Sequence, residues 1–215
     1  MNLLKFKIYI SNLYKIKLKN LFINFFIKGF RGYDSIILPM GKFYYVCKKN
    51  AKINIESGCL VFNQKTSNPE PFIGVLKMME DSEINVQNGF SIFSGHHIIL
   101  MKEAKLNLGS GYINRDVKIR CFKEINIGNN VAISENVTIW DSDAHAIIGN
   151  EDKMTQPIYI GNHVWIGNNV TILKGVTIGD GAIIAAGSLV NKNIPSGCLA
   201  AGVPAKVIKE NVKWN

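Results

Sequence analysis

A histidine in a polar loop is the residue of this sequence with the clearest capacity for chemistry. His145 stands in the stretch WDSDAHAIIGNEDKMTQP, which is rich in polar and turn-forming residues, and Asp141 and Asp143 precede it. A neutral imidazole accepts a proton near neutral pH, which makes His145 a candidate general base. Either aspartate can fix the imidazole tautomer through Nδ1–H, and the alternative, in which both aspartates only cap the turn, is equally open.

The loop interrupts a pattern in which an aliphatic residue recurs at every sixth position. The structure formed by this pattern must therefore position the loop. From Ile160 onward an aliphatic residue returns at every sixth position, and the same phase appears between Ile127 and Ile139. The phase breaks between Ile139 and Ile160, where His145 lies. A period of six does not fit an α-helix but fits short strands that alternate inward and outward and end in turns. The aliphatic positions are Ile160, Ile166, Ile172, Ile178, Ile184 and Val190.

Three such strands make one triangular coil, and the coils stack into a prism. Asn-Asn, Asp-Gly and Lys-Gly pairs fall where the corners are expected, and these residue types tolerate a positive φ. The sequence therefore predicts an all-β chain with a parallel β-helix over residues 51–203. Loops are expected to leave it at 63–81 and 140–157. Residues 1–50 lack the period and are predicted to form an N-terminal cap segment with helical character, and residues 204–215 a short C-terminal helix.

The composition excludes a disordered chain, and the excess of basic residues is concentrated at the N-terminal end. The 215 residues are 47% hydrophobic and 19% charged, with a net charge of +9. Residues 1–33 contain no acidic residue but hold Lys5, Lys7, Lys15, Lys17, Lys19, Lys28 and Arg31. The longest apolar stretch, 21–27, is too short to span a membrane and no signal-peptide cleavage pattern follows it. We expect a cytoplasmic protein whose N-terminal segment either covers the first coil or touches the inner face of the membrane.

The four cysteines are far apart in the sequence, and they indicate buried apolar residues rather than a metal or disulfide site. Cys47, Cys59, Cys121 and Cys198 form no CxxC pair, and no histidine stands at metal-ligand spacing. No phosphate-binding GxxxxGK[ST] loop is present either. No metal and no nucleic-acid partner are expected.

Residues 112–209 resemble the left-handed parallel β-helix acetyltransferases. The stretches that carry the resemblance are IGNNVAISENVTI, PIYIGNHVWIGNNVTILKGVTIGDGAIIAAGSLVNKNIPSG and AAGVPAKVIKE. They are most similar to the maltose/galactoside acetyltransferase branch and to polysaccharide O-acetyltransferases. The resemblance implies a left-handed β-helix, acetyl-CoA as acyl donor, a carbohydrate acceptor and a homotrimer.

The resemblance also implies a role for individual residues. His145 falls on the family's general base, and Asn114 on an asparagine that contacts the acceptor. Trp165 falls on the indole that packs against the pantetheine arm, and Asn168 on a backbone N–H that stabilises the thioester oxyanion. The remaining CoA contacts implied are Ala185 and Ala186 along the stack, and Lys192, Lys206 and Lys209 near the adenosine phosphates. Phe122 falls where the galactoside branch has a carboxylate that grips the acceptor, which argues against a galactoside acceptor.

Four alternatives to an O-acetyltransferase of polysaccharides are open at this point. Within the family these are N-acetylation of a nucleotide-linked amino sugar and acetylation of an antibiotic. Outside it, prism-shaped carbonic anhydrases bind zinc through three histidines from neighbouring subunits, but His145 and His163 lack that spacing. An ice-binding prism needs regular threonine arrays, which this sequence lacks.

Outward-pointing apolar residues predict an assembly. Trp165, Ile183 and Leu189 occupy outward positions of the repeat and are expected to form one covered face. A homotrimer would cover such a face, and His145 of one chain would then meet a CoA held by Trp165 and Lys192 of its neighbour.

Overall fold

The computed structural model describes residues 22–67 and 69–215, and almost every element in them is a strand. The exceptions are helix α1 (Ile23–Phe26) and a 3-10 turn (Glu151–Lys153). The strands form three sheets, called here faces 1, 2 and 3, in which every strand pair is parallel except the last pair of face 1. Face 1 contains β1 (Ile36–Pro39), β4 (Cys59–Gln64), β7 (Phe90–Phe93), β10 (Gly111–Ile113), β13 (Val131–Ile133), β16 (Trp165–Ile166), β19 (Ile183–Ile184), β21 (Leu199–Gly202) and β22 (Ala205–Lys209).

The other two faces complete each coil. Face 2 contains β2 (Phe43–Cys47), β5 (Gly74–Met78), β8 (His97–Leu100), β11 (Lys118–Cys121), β14 (Thr138–Trp140), β17 (Thr171–Leu173) and β20 (Leu189–Val190). Face 3 contains β3 (Lys52–Ile55), β6 (Glu83–Val86), β9 (Lys105–Leu108), β12 (Glu124–Ile127), β15 (Ile158–Ile160) and β18 (Thr177–Ile178). The chain visits faces 1, 2 and 3 in turn, so each edge of the prism is a column of turns: the 1–2, 2–3 and 3–1 corners.

Strand alternation produces the core. Ile133, Ile166 and Ile184 are in register on face 1, and all three are fully buried. Ile139 and Ile172 form the equivalent column on face 2. The six-residue positions are therefore the inward positions, and the predicted left-handed parallel β-helix is confirmed.

The corners use the residue types that the sequence placed there. Asn130, Asn169 and Gly181 all have positive φ, at 55°, 58° and 69°. At positive φ most residues are strained because Cβ approaches the carbonyl oxygen. Gly has no Cβ, and Asn and Asp tolerate this conformation better than other residues. The Asn-Asn and Asp-Gly pairs are thus explained by backbone geometry alone.

The predicted C-terminal helix is wrong. Ala205–Lys209 forms β22, which pairs antiparallel with β21 at the end of face 1. The last strand of an open sheet presents unpaired backbone groups, and a short segment gains more by bonding to them than by forming an isolated helix. The remaining residues, 210–215, turn back along the prism.

Two predicted boundaries also need correction. The β-helix begins before residue 51, because β1 and β2 lie within 1–50 and pair with β4 and β5. The predicted loop 63–81 is shorter, since β4 continues to Gln64 and β5 (Gly74–Met78) lies inside that range. The two prolines, Pro69 and Pro71, mark only the middle of the loop.

The described part of the N-terminal segment covers the first coil. Lys28 and Arg31 form bridge pairs with Lys52 and Ile55 of β3, and the Phe30 N–H donates to Asn54 Oδ1 at 2.8 Å. The basic residues before residue 22 lie outside the described ranges. Within those ranges, no helix is long and apolar enough to cross a membrane.

Candidate active site

The loop that carries His145 leaves the prism at the 2–3 corner, between β14 and β15. Its base is a short antiparallel ribbon: the Asp143 N–H donates to Met154 O, and the Gln156 N–H to Asp141 O, both at 2.9 Å. Ser142 adds a third link, because its Oγ accepts from Thr155 Oγ1 at 3.0 Å. This ribbon closes the loop at its root and lets the segment beyond it project from the prism.

His145 itself is exposed and makes no hydrogen bond to any residue in the described ranges. Neither Asp141 nor Asp143 bonds to its imidazole. The side chain is therefore presented outward, where a substrate or a second chain can reach both ring nitrogens. Its role as general base stays a prediction. The exposed imidazole is consistent with that role.

Asp141 has a structural role that the sequence did not resolve. Its side chain is 0% exposed, and its two oxygens accept the backbone N–H groups of Phe122, Lys123 and Glu124 at 2.7, 2.8 and 2.9 Å. Burial raises the pKa of this carboxyl, and the three backbone hydrogen bonds oppose that rise. Asp141 thus caps the turn of the coil below and does not orient His145.

Asp143 is also engaged elsewhere. Its carboxylate accepts a hydrogen bond from Lys174 Nζ, and the same ammonium donates to the Lys153 carbonyl. Lys174 therefore ties both halves of the loop to the next coil. Both aspartates act on the loop rather than on the imidazole, which favours the capping alternative.

A second group of predicted residues lies on the 1–2 corner. Asn114, Asn168 and Ala185–Ala186 follow β10, β16 and β19 and so stack along this one edge. Asn168 links three coils there: its Oδ1 accepts the Glu135 N–H at 3.3 Å, and its carbonyl accepts the Gly187 N–H at 2.8 Å. The Asn168 backbone N–H makes no hydrogen bond within the described residues, and its role toward an oxyanion stays a prediction.

The same corner carries several small side chains. Ala185 is half-buried and Ala186 exposed, and neither carries a side chain beyond Cβ. A Cβ on Gly167 would lie 2.7 Å from the Ala186 backbone N, so the two coils are already in close contact. Asn114 is half-buried, and its Oδ1 accepts the Arg115 N–H at 2.9 Å. Ala185 and Ala186 therefore make a strip of small residues along this corner, and their predicted contact with CoA stays a prediction.

Trp165 lies on face 1, beside this corner, and points outward with 42% of its surface exposed. Its strand partners are Ala132 below and Ile183 above. Lys206 and Lys209 lie on β22 at the C-terminal end of the same face, and both are exposed. An elongated ligand along face 1 could thus meet an indole at one end and two ammonium groups at the other.

Lys192 does not belong to this group. It follows β20 and lies on the 2–3 corner, the corner from which the loop of His145 leaves. Within one chain the prism thus separates Lys192 from Trp165, and their predicted contact with one CoA stays a prediction. The predicted residues divide into a 2–3 corner group and a group on the 1–2 corner and face 1.

The three outward residues predicted to share one covered face lie on two different faces. Trp165 and Ile183 point outward from face 1, whereas Leu189 points outward from face 2. The error arose because the six-residue repeat identifies outward positions but not which of the three faces each belongs to. Face 2 carries outward apolar residues of its own, and they share its two outward columns with Lys77, His97, Lys118 and Arg120. The apolar residues are Val75, Ile99, Trp140, Leu173 and Leu189.

Face 3 carries a ladder of amides that was not predicted. Asn54, Asn85, Asn107 and Asn126 stand in register, and each Nδ2 donates to the next Oδ1 at 2.7–2.8 Å. The Asn126 Nδ2 ends the ladder and has no partner. The signal was present in the sequence, since an asparagine stands between the two inward residues of four face 3 strands. A groove of about 830 Å³ runs beside this asparagine ladder.

Two other histidines are part of the framework. His96 is fully buried against Phe43 and Phe62, with Nδ1 2.8 Å from the Phe93 carbonyl. His97 Nδ1 accepts from Arg120 at 2.9 Å. Among residues 22–67 and 69–215 no group of three or more His, Cys, Asp or Glu side chains is arranged to hold a metal ion.

Comparison with known proteins identifies relatives for most of the chain. The family model for bacterial transferase hexapeptide (six repeats) matches residues 157–192. An uncharacterized 24.8 kDa protein in the cps region of Klebsiella pneumoniae is 37% identical over 172 residues, which cover 77% of this chain and 75% of that protein.

Two further relatives are named acetyltransferases. The galactoside O-acetyltransferase of Escherichia coli K12 is 45% identical over 102 residues, 46% of this chain and 50% of that protein. The polysialic acid O-acetyltransferase of Escherichia coli O1:K1 is 39% identical over 114 residues, 51% of this chain. The chain thus aligns with half of the first of these enzymes and 36% of the second.

A solved structure supports the fold over nearly the whole length. A mutant of AntD, an N-acyltransferase from Bacillus cereus in complex with dTDP and Coenzyme A, has a TM-score of 0.54 at 18% identity and covers 91% of both chains. At this identity the similarity concerns the fold alone.

Proposed function

Because the chain belongs to the bacterial hexapeptide-repeat transferase family, we propose that it is an acetyl-CoA-dependent O-acetyltransferase acting on a sugar hydroxyl. The observation that carries the proposal is the combination of an accessible His145 on a clamped loop with a strip of small residues at the 1–2 corner. The relatives that act on galactoside and polysialic acid support a carbohydrate acceptor. The relative from a cps region supports a surface polysaccharide.

His145 would remove the proton from the acceptor hydroxyl as the oxygen attacks the thioester carbonyl. A sugar hydroxyl is a poor nucleophile, and a positioned base typically contributes about 10²–10⁴-fold. The new C–O bond forms, the C–S bond breaks, and the proton passes from the imidazole to the leaving CoA thiolate. The transfer is direct and requires no covalent enzyme intermediate.

The Asn168 backbone N–H would stabilise the oxyanion that forms during this attack. It has no partner in the described chain, and hydrogen bonds to the coils on either side hold Asn168 in place. A donor of this kind is worth about 3–4 kcal/mol in other acyl transfers because it is oriented before the charge develops. Asn114, lower on the same corner, would contact the acceptor.

The pantetheine arm would lie along Ala185 and Ala186 and pack against Trp165. Lys206 and Lys209, at the end of face 1, would attract the phosphates of the adenosine moiety. These ammonium groups are solvent-exposed, so their contribution should weaken as salt increases.

Each active site would be shared between two chains of a homotrimer. Face 2 lies between two corners that carry predicted site residues. The 2–3 corner carries His145 and Lys192, and the 1–2 corner carries Asn168. If face 2 turns toward a threefold axis, the 2–3 corner of one chain meets the 1–2 corner of the next, and the contact closes after three copies. Trp140, Leu173 and Leu189, which point outward from the last three strands of face 2, support this orientation, since they would leave water on assembly.

A polymeric acceptor is supported by the groove on face 3. Face 3 borders the 2–3 corner and would open outward in this trimer. The groove is lined by residues of all six face 3 strands, from Asn54 to Thr177, and the strands repeat at about 4.8 Å. A groove of this length suits an extended sugar chain better than one small molecule. We place the enzyme in the cytoplasm, and the basic residues before residue 22 suit contact with an anionic inner membrane face.

The test is acetyl transfer from labelled acetyl-CoA to a panel of surface polysaccharides, sugar nucleotides and antibiotics. We expect base-labile label, typical of an O-acetyl ester, on a polysaccharide. Label confined to an amino sugar as a base-stable amide, or to an antibiotic, would contradict the proposed acceptor. Failure to bind acetyl-CoA at all would contradict the proposed donor.

A further inference from the structure

The C-terminal tail, residues 210–215, is tied along the 3–1 corner. The Val212 N–H donates to the Gly197 carbonyl at 2.9 Å, in the last coil. Further along the tail, Trp214 stacks on His163, with ring centroids 4.1 Å apart and an interplanar angle of 3°. The tail therefore runs from the last coil back to the turn that precedes Trp165.

Two reciprocal hydrogen bonds hold Trp214 in place. Its Nε1–H donates to the His163 carbonyl at 3.0 Å, and His163 Nε2 lies 3.0 Å from the Trp214 carbonyl. Because a carbonyl only accepts, Nε2 must carry a proton in this contact. Stacking and two hydrogen bonds together fix the indole more firmly than a lone surface tryptophan would be fixed.

Trp214 also contacts Trp165. The ring centroids lie 6.1 Å apart with an interplanar angle of 47°, within the range of favourable tilted aromatic pairs. Trp214 approaches from the 3–1 corner, because that is where His163 lies. Trp165 keeps 42% of its surface exposed beside this contact.

We propose that Trp214 is a positioning residue for acyl-CoA binding, which orients the Trp165 indole before the pantetheine arm arrives. This inference rests on the proposed function, because it assigns Trp165 to the arm. Trp214 does not touch the ligand in this account. An exposed side chain that is already ordered loses less conformational entropy on binding, so the effect of losing Trp214 should be a rise of about 3- to 10-fold in KM for acetyl-CoA.

The test compares Trp214→Ala, Trp214→Phe and Trp165→Ala with Asn215→Ala as a control in the same tail. We expect Trp214→Ala to raise KM for acetyl-CoA with kcat nearly unchanged, and Trp214→Phe to recover most of the loss because it keeps an aromatic contact. Asn215→Ala should match the parent protein. Thermal unfolding of each variant identifies any that lose the fold, and Trp214→Phe keeps the test valid in that case.

A double variant decides whether Trp214 acts through Trp165. If it does, Trp165→Ala/Trp214→Ala has the KM of Trp165→Ala alone, because the side chain to be positioned is gone. Multiplicative effects would overturn the positioning role, as would an unchanged KM in Trp214→Ala. Calorimetric titration with acetyl-CoA separates the two proposals. If the parent protein does not bind acetyl-CoA, the proposed function is wrong. If the parent protein binds it, and Trp165→Ala weakens binding but Trp214→Ala does not, only the role of Trp214 is wrong.

Discussion

His145 and Trp165 lie on different sides of one prism: the first on a loop from the 2–3 corner, the second on face 1 beside the 1–2 corner. A base and an acyl-CoA contact that serve the same reaction must be within reach of one substrate. Face 2 separates the two corners within a chain. A second chain that brings its 2–3 corner to the 1–2 corner of the first unites them.

Replacing His145 by alanine should abolish transfer while acetyl-CoA still binds. Loss of a general base lowers kcat by about 10²–10⁴-fold, and the side chain makes no hydrogen bond in the described chain that its removal would break. Steady-state kinetics and calorimetric binding measure the two effects separately. Asn150→Ala, in the same loop, is the matched control. Near-normal kcat in His145→Ala would remove this residue from the mechanism.

Asp141 and Asp143 should respond differently to amidation. Asp141→Asn weakens three hydrogen bonds from buried backbone N–H groups and should lower the free energy of unfolding by about 1–3 kcal/mol. Asp143→Asn alters a partly exposed ion pair with Lys174 and should cost about 0–1 kcal/mol. Urea unfolding of both variants provides the comparison. Equal stabilities would contradict the assignment of Asp141 as the cap of the turn at Phe122.

His96 should make the fold sensitive to acid. Burial lowers the pKa of His96 to about 4, whereas an unfolded histidine titrates near its ordinary value of about 6.5. The unfolded chain therefore takes up the proton first, so stability is fully present above pH ~6.5 and declines as the pH falls toward 4. The loss approaches about 3 kcal/mol at the conversion of ~1.36 kcal/mol per pKa unit.

The measurement is the free energy of unfolding as a function of pH. His96→Gln retains a donor for the Phe93 carbonyl but no titrating group, and its profile should be flatter over this range than that of the parent. His97→Gln is the control: burial lowers that pKa too, but the side chain is far less buried and faces Arg120. Parallel profiles for His96→Gln and the parent protein would rule out His96 as the source of the acid sensitivity.

The sequence was sufficient to predict the prism because a period of six leaves few structures that bury every sixth residue. Ile166 and Ile172, for example, are inward neighbours along the chain but lie on different faces. The same repeat cannot say which face an outward residue shares with another, and for this reason Trp165 and Leu189 were grouped wrongly. Nor could it show that Asp141 turns inward, since that depends on unpaired N–H groups one coil below.

The C-terminal segment was mispredicted for a similar reason. AKVIKENVKW has a helix-compatible pattern, but the free edge of β21 is a property of the assembled sheet, not of the segment. The stacking of Trp214 on His163 joins residues 51 positions apart, and nothing local in either stretch indicates it. Both features depend on contacts that form only in the assembled prism, so the sequence could not predict them.

The assembly itself should depend on face 2. Leu173 is 37% exposed in the single chain, and Leu173→Lys would place a charge in the proposed contact between copies. Light scattering should show a trimer for the parent protein and smaller species for this variant, with activity lost in parallel. Tyr159→Lys on face 3, where no contact between copies is proposed, should leave the trimer intact. A fully active monomer of either protein would contradict the trimer and the shared site together.

Complementation between two defective variants tests the shared site most directly. His145→Ala lacks the base, and Trp165→Ala lacks the arm contact, so each alone should be nearly inactive at low acetyl-CoA. If the two groups come from different chains, random mixing into trimers recreates about a quarter of sites with both residues intact. Co-expression of the two variants should then restore measurable transfer at subsaturating acetyl-CoA. If the mixture is no more active than the mean of the two single variants, both groups act within one chain. That result would contradict a site shared between the 2–3 corner of one chain and face 1 of another.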